Sequence, residues 1–377
     1  MRLPVFLLQL SPRGYKAAVG NGLTEAFEKP LAEEVRTIDS GARIVIFSDM
    51  HKGARDGADD YWRCERAYRA ALAYYDEAGY ELFVLGDAEE LWENRPDAVL
   101  GENGHKPTLE LEAKFHAEDR YVRFWGNHDE IWSNPAEVRD RLDPLFAEVH
   151  DRLFADGGAE PLRVRETLKL RVTLPGEPPG LLFLIHGHQG TFSSDPSGSF
   201  AKVSEFFVRN VWRNVQRMTR LPSTTPATNW RLREKHDRAM AAWVRDYGAG
   251  RDEPLVLIAG HTHRPVFGAE LLEPSVIAEL EEERENPMPD SSVVSDLSAK
   301  LEWLRAWRRW RDPHELGQAP AYFNTGCCAF PDGDITGLEL AEGRIRLVRW
   351  PEGEPQREEL ATAKLKDIFQ NVTAGGS

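Results

Sequence analysis

The sequence predicts an α/β fold whose strands are buried on both faces, and three observations carry that reading. Five apolar runs punctuate the chain: Arg43 to Phe47, Leu82 to Leu85, Tyr121 to Trp125, Leu181 to Ile185 and Leu255 to Ala259. Runs of this length without polar alternation read as strands covered on both sides. Each run stops at a polar block: Ser48-Asp49-Met50-His51, Gly86-Asp87, Gly126-Asn127-His128-Asp129, His186-Gly187-His188 and Gly260-His261-Thr262-His263. Between the first two runs, Asp60 to Ala78 carries Ala and Tyr at helical spacing. Ligands of open α/β sheets bind outside the carboxyl ends of strands, so the five blocks can converge on one site. One such block alone is commonly a polar turn. Five of them, each closing a strand, are not a coincidence.

The later segments follow from their own patterns. Thr191 to Gly250 interrupts the rhythm. Phe200, Val203, Phe207, Val211, Val215 and Met218 recur at helical spacing, Leu221 to Asn229 is a Pro/Ser/Thr loop, and a second helix runs to about Tyr247. In Glu279 to Pro313, an acidic, proline-broken stretch (Glu281 to Asp290) precedes a helix capped by Ser295 or Asp296, with Leu297, Leu301, Leu304 and Trp307 on one face. Tyr322 to Gly326 is another strand. Ile335 to Leu340 and Arg344 to Arg349 flank Glu342-Gly343 as a hairpin. The segment after Pro355 reads as one helix. The whole is expected to be one domain over 1–350, with helical insertions at 191–250 and 279–313 and a tail at 351–377.

Composition limits the function classes. Lys+Arg is 47 and Asp+Glu 62, a net charge of −15. Phosphate neutralisation drives nucleic-acid binding, so this balance disfavours a general nucleic-acid grip. The segment 191–250 departs from it, with 10 Lys+Arg against 5 acids, a local +5. Cys64, Cys327 and Cys328 form no disulfide framework and point to a reducing, cytoplasmic setting. The N-terminal run Val5 to Leu8 is too short for a span and lacks a cleavage signature. No segment reaches the ~18 apolar residues that cross a bilayer.

The strand-end residues define the chemistry. On an extended strand end, Asp49 and His51 would point the same way. A carboxylate and an imidazole facing one point suit a divalent transition metal. Asp87 adds a carboxylate, Asn127 an amide oxygen, and His186, His261 and His263 three imidazoles. Seven ligand-type residues exceed one ion and fit two ions sharing a bridging carboxylate. Two metals ~3.5–4 Å apart clamp the attacking and leaving oxygens of a phosphoryl displacement and supply a hydroxide at neutral pH. Lys52, Arg55 and Arg264 are candidate phosphate contacts. Glu89 and Glu90 either open a helix or lie behind the site. His105, His116, His150, His236 and His314 carry no motif, and Cys327 and Cys328 read as packing residues.

The ordered set of blocks over Ile44 to Arg264 resembles the motifs of the calcineurin-like metallophosphoesterases. The resemblance implies a four-layer α/β/β/α metallophosphoesterase sandwich with helical insertions and a dinuclear centre at the strand ends. Asp49, His51 and His263 would hold one ion, Asn127, His186 and His261 the other, and Asp87 would bridge. His128 would meet the substrate phosphate as general acid or charge stabiliser, and Asp129 would orient it. His186 is the expected ligand of its block. His188 is the ligand in its place, a neighbour that positions it, or a substrate contact alongside Lys52 and Arg264. Mn²⁺ is the expected metal, and Fe, Zn and Co suit the same donors.

His51-Lys52-Gly53, Glu89-Glu90-Leu91-Trp92, Gly260 to Pro265 and Asn324-Thr325-Gly326 are most similar to the UDP-diacylglucosamine hydrolase branch. That branch implies a small or lipid-linked phosphoester substrate and a lid where 191–250 stands. Its basic, Trp-bearing helices (Trp212, Trp230, Trp243) would meet a nucleotide diphosphate, a lipid or an anionic membrane surface peripherally. The branch usually carries Arg where this chain has His128, and the chain is longer. The expected activity is hydrolysis of a phosphomonoester, phosphodiester or pyrophosphate bond by a metal-bridging hydroxide. A nuclease of the same superfamily and a non-catalytic scaffold are the alternatives. The acidic balance disfavours the first, and the full ligand set the second.

Overall fold

Successive side chains of a strand point to opposite faces, so a run that is apolar throughout needs a cover on each side. The computed structural model provides both covers. It describes residues 12–29, 35–57, 59–154, 158, 160–190, 230–268, 281, 284–285, 294, 298, 301 and 321–374. The main elements are α1 (Pro12–Glu28), β1 (Val35–Asp39), β2 (Arg43–Phe47), α2 (Glu65–Glu77), β3 (Glu81–Leu85), α3 (Pro96–Leu100), α4 (Lys106–Ala117), β4 (Tyr121–Phe124), α5 (Asp143–Leu153), β5 (Val164–Arg165), β6 (Thr167–Thr173) and β7 (Gly180–Ile185). They continue with α6 (Trp230–Gly248), β8 (Leu255–Ala259), β9 (Pro265–Phe267), β10 (Tyr322–Thr325), β11 (Ile335–Ala341), β12 (Arg344–Trp350), β13 (Glu358–Lys364) and α7 (Leu365–Ala374).

The strands form two sheets, ordered β1-β6-β7-β8-β10-β9 and β13-β12-β11-β2-β3-β4-β5. Ile44 and Ile46 of β2, Phe83 and Leu85 of β3, Leu182 and Leu184 of β7, and Val256 and Ile258 of β8 fill the core between them. The alternate residues face outward. Val45, Phe47, Leu82 and Val84 pack on Tyr68, Ala71, Leu72 and Tyr75 of α2. Leu181, Phe183, Ile185, Leu255 and Leu257 pack on Val19, Leu23 and Phe27 of α1 and on Met240, Trp243 and Val244 of α6. The result is the α/β/β/α sandwich. Strands β2, β3 and β4 run parallel, as do β7 and β8, so the polar blocks that follow them gather at one end of the two sheets.

Some elements differ from expectation. The stretch 60–78 begins with a 3₁₀ turn, Tyr61–Arg63, before α2. The segment after Pro355 holds edge strand β13, paired antiparallel with β12, ahead of its helix, so the expected tail contributes residues 358–364 to a sheet. Leu360 alone is buried in that strand, which is why no apolar pattern announced it. No helix starts at Glu89-Glu90. Glu89 bridges to Lys52 in extended backbone, and the next helix begins at Pro96. The expected helix ending near Tyr247 is α6. The expected helix over 200–218, its loop, and most of 279–313 lie outside the described residues.

Candidate metal centre

Each strand stops where its chain must turn into the site, and the turns are tight. Eight described non-glycine residues have φ in the left-handed region, and Asp49, His51, Asp87, His261 and His263 are five of them, at +51° to +68°. Such backbone is costly for these residues and collects at functional sites. Asp49 and His51 therefore share a target through left-handed turns, not through the extended strand end expected from their spacing.

Both central carboxylates divide their oxygens in the same way. Asp49 Oδ2 accepts the His261 backbone N–H at 2.9 Å and the Ser48 hydroxyl. Asp49 Oδ1 is buried without a hydrogen bond, 3.2 Å from His263 Nε2 and 3.9 Å from His51 Nε2. Asp87 Oδ1 accepts the His128 N–H at 2.8 Å, while Oδ2 lies 3.1 Å from His186 Nε2 and 3.8 Å from His51 Nε2. Asp87 thus faces both halves of the site. Donor atoms of Asp49, His51 and His263 form one compact group, and those of Asp87, His186 and His261 another. Asn127 Oδ1 is buried with no hydrogen-bond partner.

These donors fit two divalent ions. His186 Nδ1–H donates to the Leu85 carbonyl at 2.8 Å, which leaves Nε2 as the ligand atom. His51 Nε2 and His263 Nε2 stand 3.0 Å apart, a contact that a shared proton or a shared cation must mediate. Burial opposes the charge on Asp87, yet the His186, His128 and His51 imidazoles overcome it and hold the carboxyl well below its usual range. Burial also opposes protonation of His186, but Asp87 outweighs it and raises that imidazole to about 9. Burial lowers His263 to about 4 and His261 well below its ordinary value, so both stand neutral, whereas a cation would displace the proton that Asp87 favours on His186.

His128 sits beside the first group. Its Nδ1 is 2.7 Å from Glu90 Oε2, and its ring meets the edge of His51 at 4.6 Å. Burial works against its protonation, and Glu90 and Asp87 win, raising it to about 9. Trp92 stacks on the ring at 4.2 Å and donates its Nε1–H to the Asn127 carbonyl at 2.6 Å. The carboxylate that orients His128 is thus Glu90, which also meets His51 Nδ1 at 3.1 Å, and not Asp129. Asp129 accepts backbone N–H groups of Gly126 (2.6 Å), Ala88 (2.9 Å) and Asp87 (3.3 Å), stapling the β3 and β4 loops together.

The four candidate substrate contacts fare differently. Lys52 is fully buried behind the site, with Nζ 2.5 Å from Glu112, and cannot meet substrate. Arg264 pairs with Asp237 at 3.2 Å and is 8% exposed, so its charge is largely committed. His188 is buried 5.5 Å from the His186 ring and 5.0 Å from Trp125, a neighbour of the ligand. Arg55 turns away to the Gly104 carbonyl and Glu65. The sequence reading also passed over three residues. His236 donates from Nε2 to the Gly187 carbonyl at 2.6 Å and lies 5.2 Å from the His261 ring. Cys327 Sγ lies 3.4 Å from His263 Nδ1. Burial lowers the Arg233 guanidinium to about 10, against the pull of the Cys327, Asp49 and Asp237 charges. Only Cys327 carried a signal, its place just after Asn324-Thr325-Gly326.

A two-sheet α/β sandwich with carboxylates and imidazoles gathered at its strand ends defines a metal-dependent phosphoester hydrolase. The sequence profile of the calcineurin-like phosphoesterases matches residues 42–265, and the chain belongs to that family. It is a hydrolase acting on phosphoric esters. No curated protein sequence matches the chain. Among solved structures it is similar to a conserved uncharacterized protein, a predicted phosphoesterase, of Streptococcus pneumoniae. That alignment has 12% identity, covers 84% of this chain and 96% of the other, and has a TM-score of 0.28. It is also similar to a dimetal phosphatase of Danio rerio, with 13% identity, 86% and 100% coverage and a TM-score of 0.36. No described helix is long and apolar enough to cross a membrane.

Proposed function

We propose that the chain hydrolyses a phosphomonoester, phosphodiester or pyrophosphate bond of a small or lipid-linked substrate, with two divalent ions, Mn²⁺ first among them. The observation that carries the reading is the division of labour at Asp49 and Asp87. Each anchors one oxygen on backbone and leaves the other facing imidazole nitrogens. Asp49, His51 and His263 would hold one ion, Asn127, His186 and His261 the other, and Asp87 both. Ions there supply Lewis acidity and an activated water. The chain's own part is positioning and proton handling. Glu90 Oε2, 2.7 Å from His128 Nδ1, would hold the imidazolium charge, which leaves the Nε2–H as donor to a phosphoryl or leaving oxygen. Trp92 fixes the plane of that ring. Three free, buried cysteines support a cytoplasmic residence. The local +5 of 191–250 supports approach of an anionic substrate or peripheral contact with an anionic surface.

A panel of phosphomonoesters, phosphodiesters, nucleotide-diphosphate sugars and single-stranded DNA, run with Mn²⁺ and with chelator, tests this. Turnover should need metal and vanish in Asp87→Ala. Full activity of Asp87→Ala would overturn the dinuclear reading, and a preference for DNA would favour a nuclease.

A further inference from the structure

His236 stands in the second turn of α6 and is buried, yet the chemistry described above gives it no task. Both its nitrogens are spent. The Gly187 carbonyl oxygen, 2.6 Å from Nε2, can only accept, so Nε2 carries the hydrogen. Nδ1 is then the acceptor, and the Tyr15 hydroxyl donates to it at 2.8 Å. Burial disfavours the charged imidazole as well. With no lone pair left for a cation, His236 is not a ligand, although its ring meets the edge of the His261 ring at 5.2 Å.

What it holds is a ligand turn. Gly187 separates His186 from His188 and has φ +112°, backbone that a side chain would resist. The His186 carbonyl of that turn accepts the Gly260 N–H at 2.9 Å, and the Gly187 carbonyl accepts from His236. The next residue of α6 does the same for the block after β8. Asp237 accepts, at 2.8 Å, the hydroxyl of Thr262, which separates His261 from His263. Adjacent residues of one helix thus grip the middle residues of two His-x-His blocks. Helix α1, which supplies Tyr15, braces them from outside. Thr24 accepts the Nε1–H of Trp243 in α6 at 2.9 Å, and a Cβ at Gly22 would stand 2.7 Å from the Gly190 nitrogen, where the turn after β7 ends. Neither hydrogen bond of His236 reaches Asp49, His51 or His263, the donors of the other group.

We propose that His236, oriented by Tyr15, is a positioning residue for one ion of the pair, the ion facing Asp87, His186 and His261. Its hydrogen bond fixes the peptide that follows His186, and its ring backs His261. The proposal rests on the two-ion reading above and makes the two halves of the site unequal in what supports them. A partner that orients a ligand decides about tenfold to a hundredfold in metal affinity.

Calorimetric titration of the metal-free full chain with Mn²⁺ tests this. Wild type should bind two ions. In His236→Leu the affinity for one of them should fall by about tenfold to a hundredfold, with the other changed by less than about threefold. Two further backgrounds assign the weakened ion. His236→Leu should weaken the ion that remains in His263→Ala and spare the ion that remains in His186→Ala. His236→Gln, whose amide N–H can still reach the Gly187 carbonyl, should recover part of the loss. Tyr15→Phe keeps the ring and removes only the hydroxyl, so it should weaken the same ion to a smaller extent. It decides the question if circular dichroism shows that His236→Leu does not fold. Equal weakening of both ions, weakening of the ion held by Asp49, His51 and His263, or no weakening at all would overturn the role of His236 while two ions still bind to wild type. Fewer than two ions in wild type would overturn the two-ion reading itself, and the positioning role with it.

Discussion

Gly126→Ala isolates the geometry on which the two-ion site depends. A Cβ at Gly126 would stand 2.7 Å from the Asp87 backbone nitrogen and 2.8 Å from Asp87 Cγ, where ordinary contact begins at 3.4 Å. Gly126 is not among the residues with left-handed φ, so alanine adds a collision without backbone strain. The nearest atom, Asp87 Oδ1, would stand only 2.2 Å away, so relief requires a displacement of roughly 1.2 Å between the two loops. Asp87 cannot give way alone, because Oδ1 is tied to the His128 N–H at 2.8 Å and Oδ2 faces His186 at 3.1 Å. Overpacking of this kind costs about 1–3 kcal/mol, and misplacement on the order of 1 Å costs ~100-fold in rate. The variant should therefore fold with a Tm lower by several degrees, bind fewer than two ions per chain and lose about two orders of magnitude in turnover. Elemental analysis, thermal melting and a generic diester assay read these three quantities. Gly353→Ala, with nothing within 4 Å, is the control. Two bound ions and turnover within about twofold of wild type would refute the claim that close approach at Gly126 sets the Asp87 position.

Other outcomes follow from the same contacts. His105 Nε2 lies 2.7 Å from Asp59, and although burial opposes its charge, Asp59 and Glu65 raise its pKa. A raised histidine stabilises fully below its unfolded value near 6.5 and loses that contribution as pH rises through the folded value. The Tm advantage of wild type over His105→Gln should thus be larger at pH 5.5 than at pH 9, and a pH-independent difference would contradict it. Arg123 is fully buried among Glu89, Glu112 and Asp129, so Arg123→Met leaves unpaired carboxylates and should cost ~3–5 kcal/mol in urea unfolding. A loss below about 1 kcal/mol would show that the network is dispensable. Trp92→Ala removes both the stack on His128 and the bond to Asn127, and should lower kcat by about tenfold or more with KM little changed. Trp92→Phe, keeping a stacked ring, should recover part. Identical kinetics of wild type and Trp92→Ala would remove Trp92 from the machinery.

The strands of the site were legible because each is apolar on both faces, and the cores between and outside the sheets explain why. Ile44 and Ile46 point one way, Val45 and Phe47 the other, and both sets are buried. Edge elements were less legible. In β13 only Leu360 is buried, in β1 only Ile38, and β9 spans three residues, so their pairing rests on neighbours far along the chain. Thr167 to Thr173 alternates polar and apolar residues, so it lacks the continuous apolar run that marks the strands of the site. At the site, residue types and order marked the donors, but sequence spacing could not assign the supporting carboxylates. Asp129 adjoins His128 in sequence, yet the carboxylate facing that imidazole comes from Glu90, on the loop after β3. Lys52 follows His51 directly, yet it points backward into a buried cluster. Adjacent residues on a sharply turned loop face opposite directions, and a string of letters does not show the turn.

That reversal gives the chain's acidity a second meaning. Behind the metal donors, Lys52 and Arg123 lie fully buried against Glu89, Glu112 and Asp129, two cations to three carboxylates. Burial, together with Asp87 and Glu89, raises Asp129 to about 6 despite its three backbone donors. Glu89 stays ionised because Arg123 and Lys52 outweigh its burial. Glu89 and Glu90 are consecutive in extended backbone, so one points into this cluster and the other toward His51 and His128. The segment from Asp87 to Glu90 therefore couples two charge systems. One is closed and structural, and it fixes the loop. The other is open to ions and substrate, and its carboxylates keep an oxygen free. The left-handed φ at Asp87 is held by the closed system, in which Asp129 accepts the N–H groups of Gly126, Ala88 and Asp87 itself.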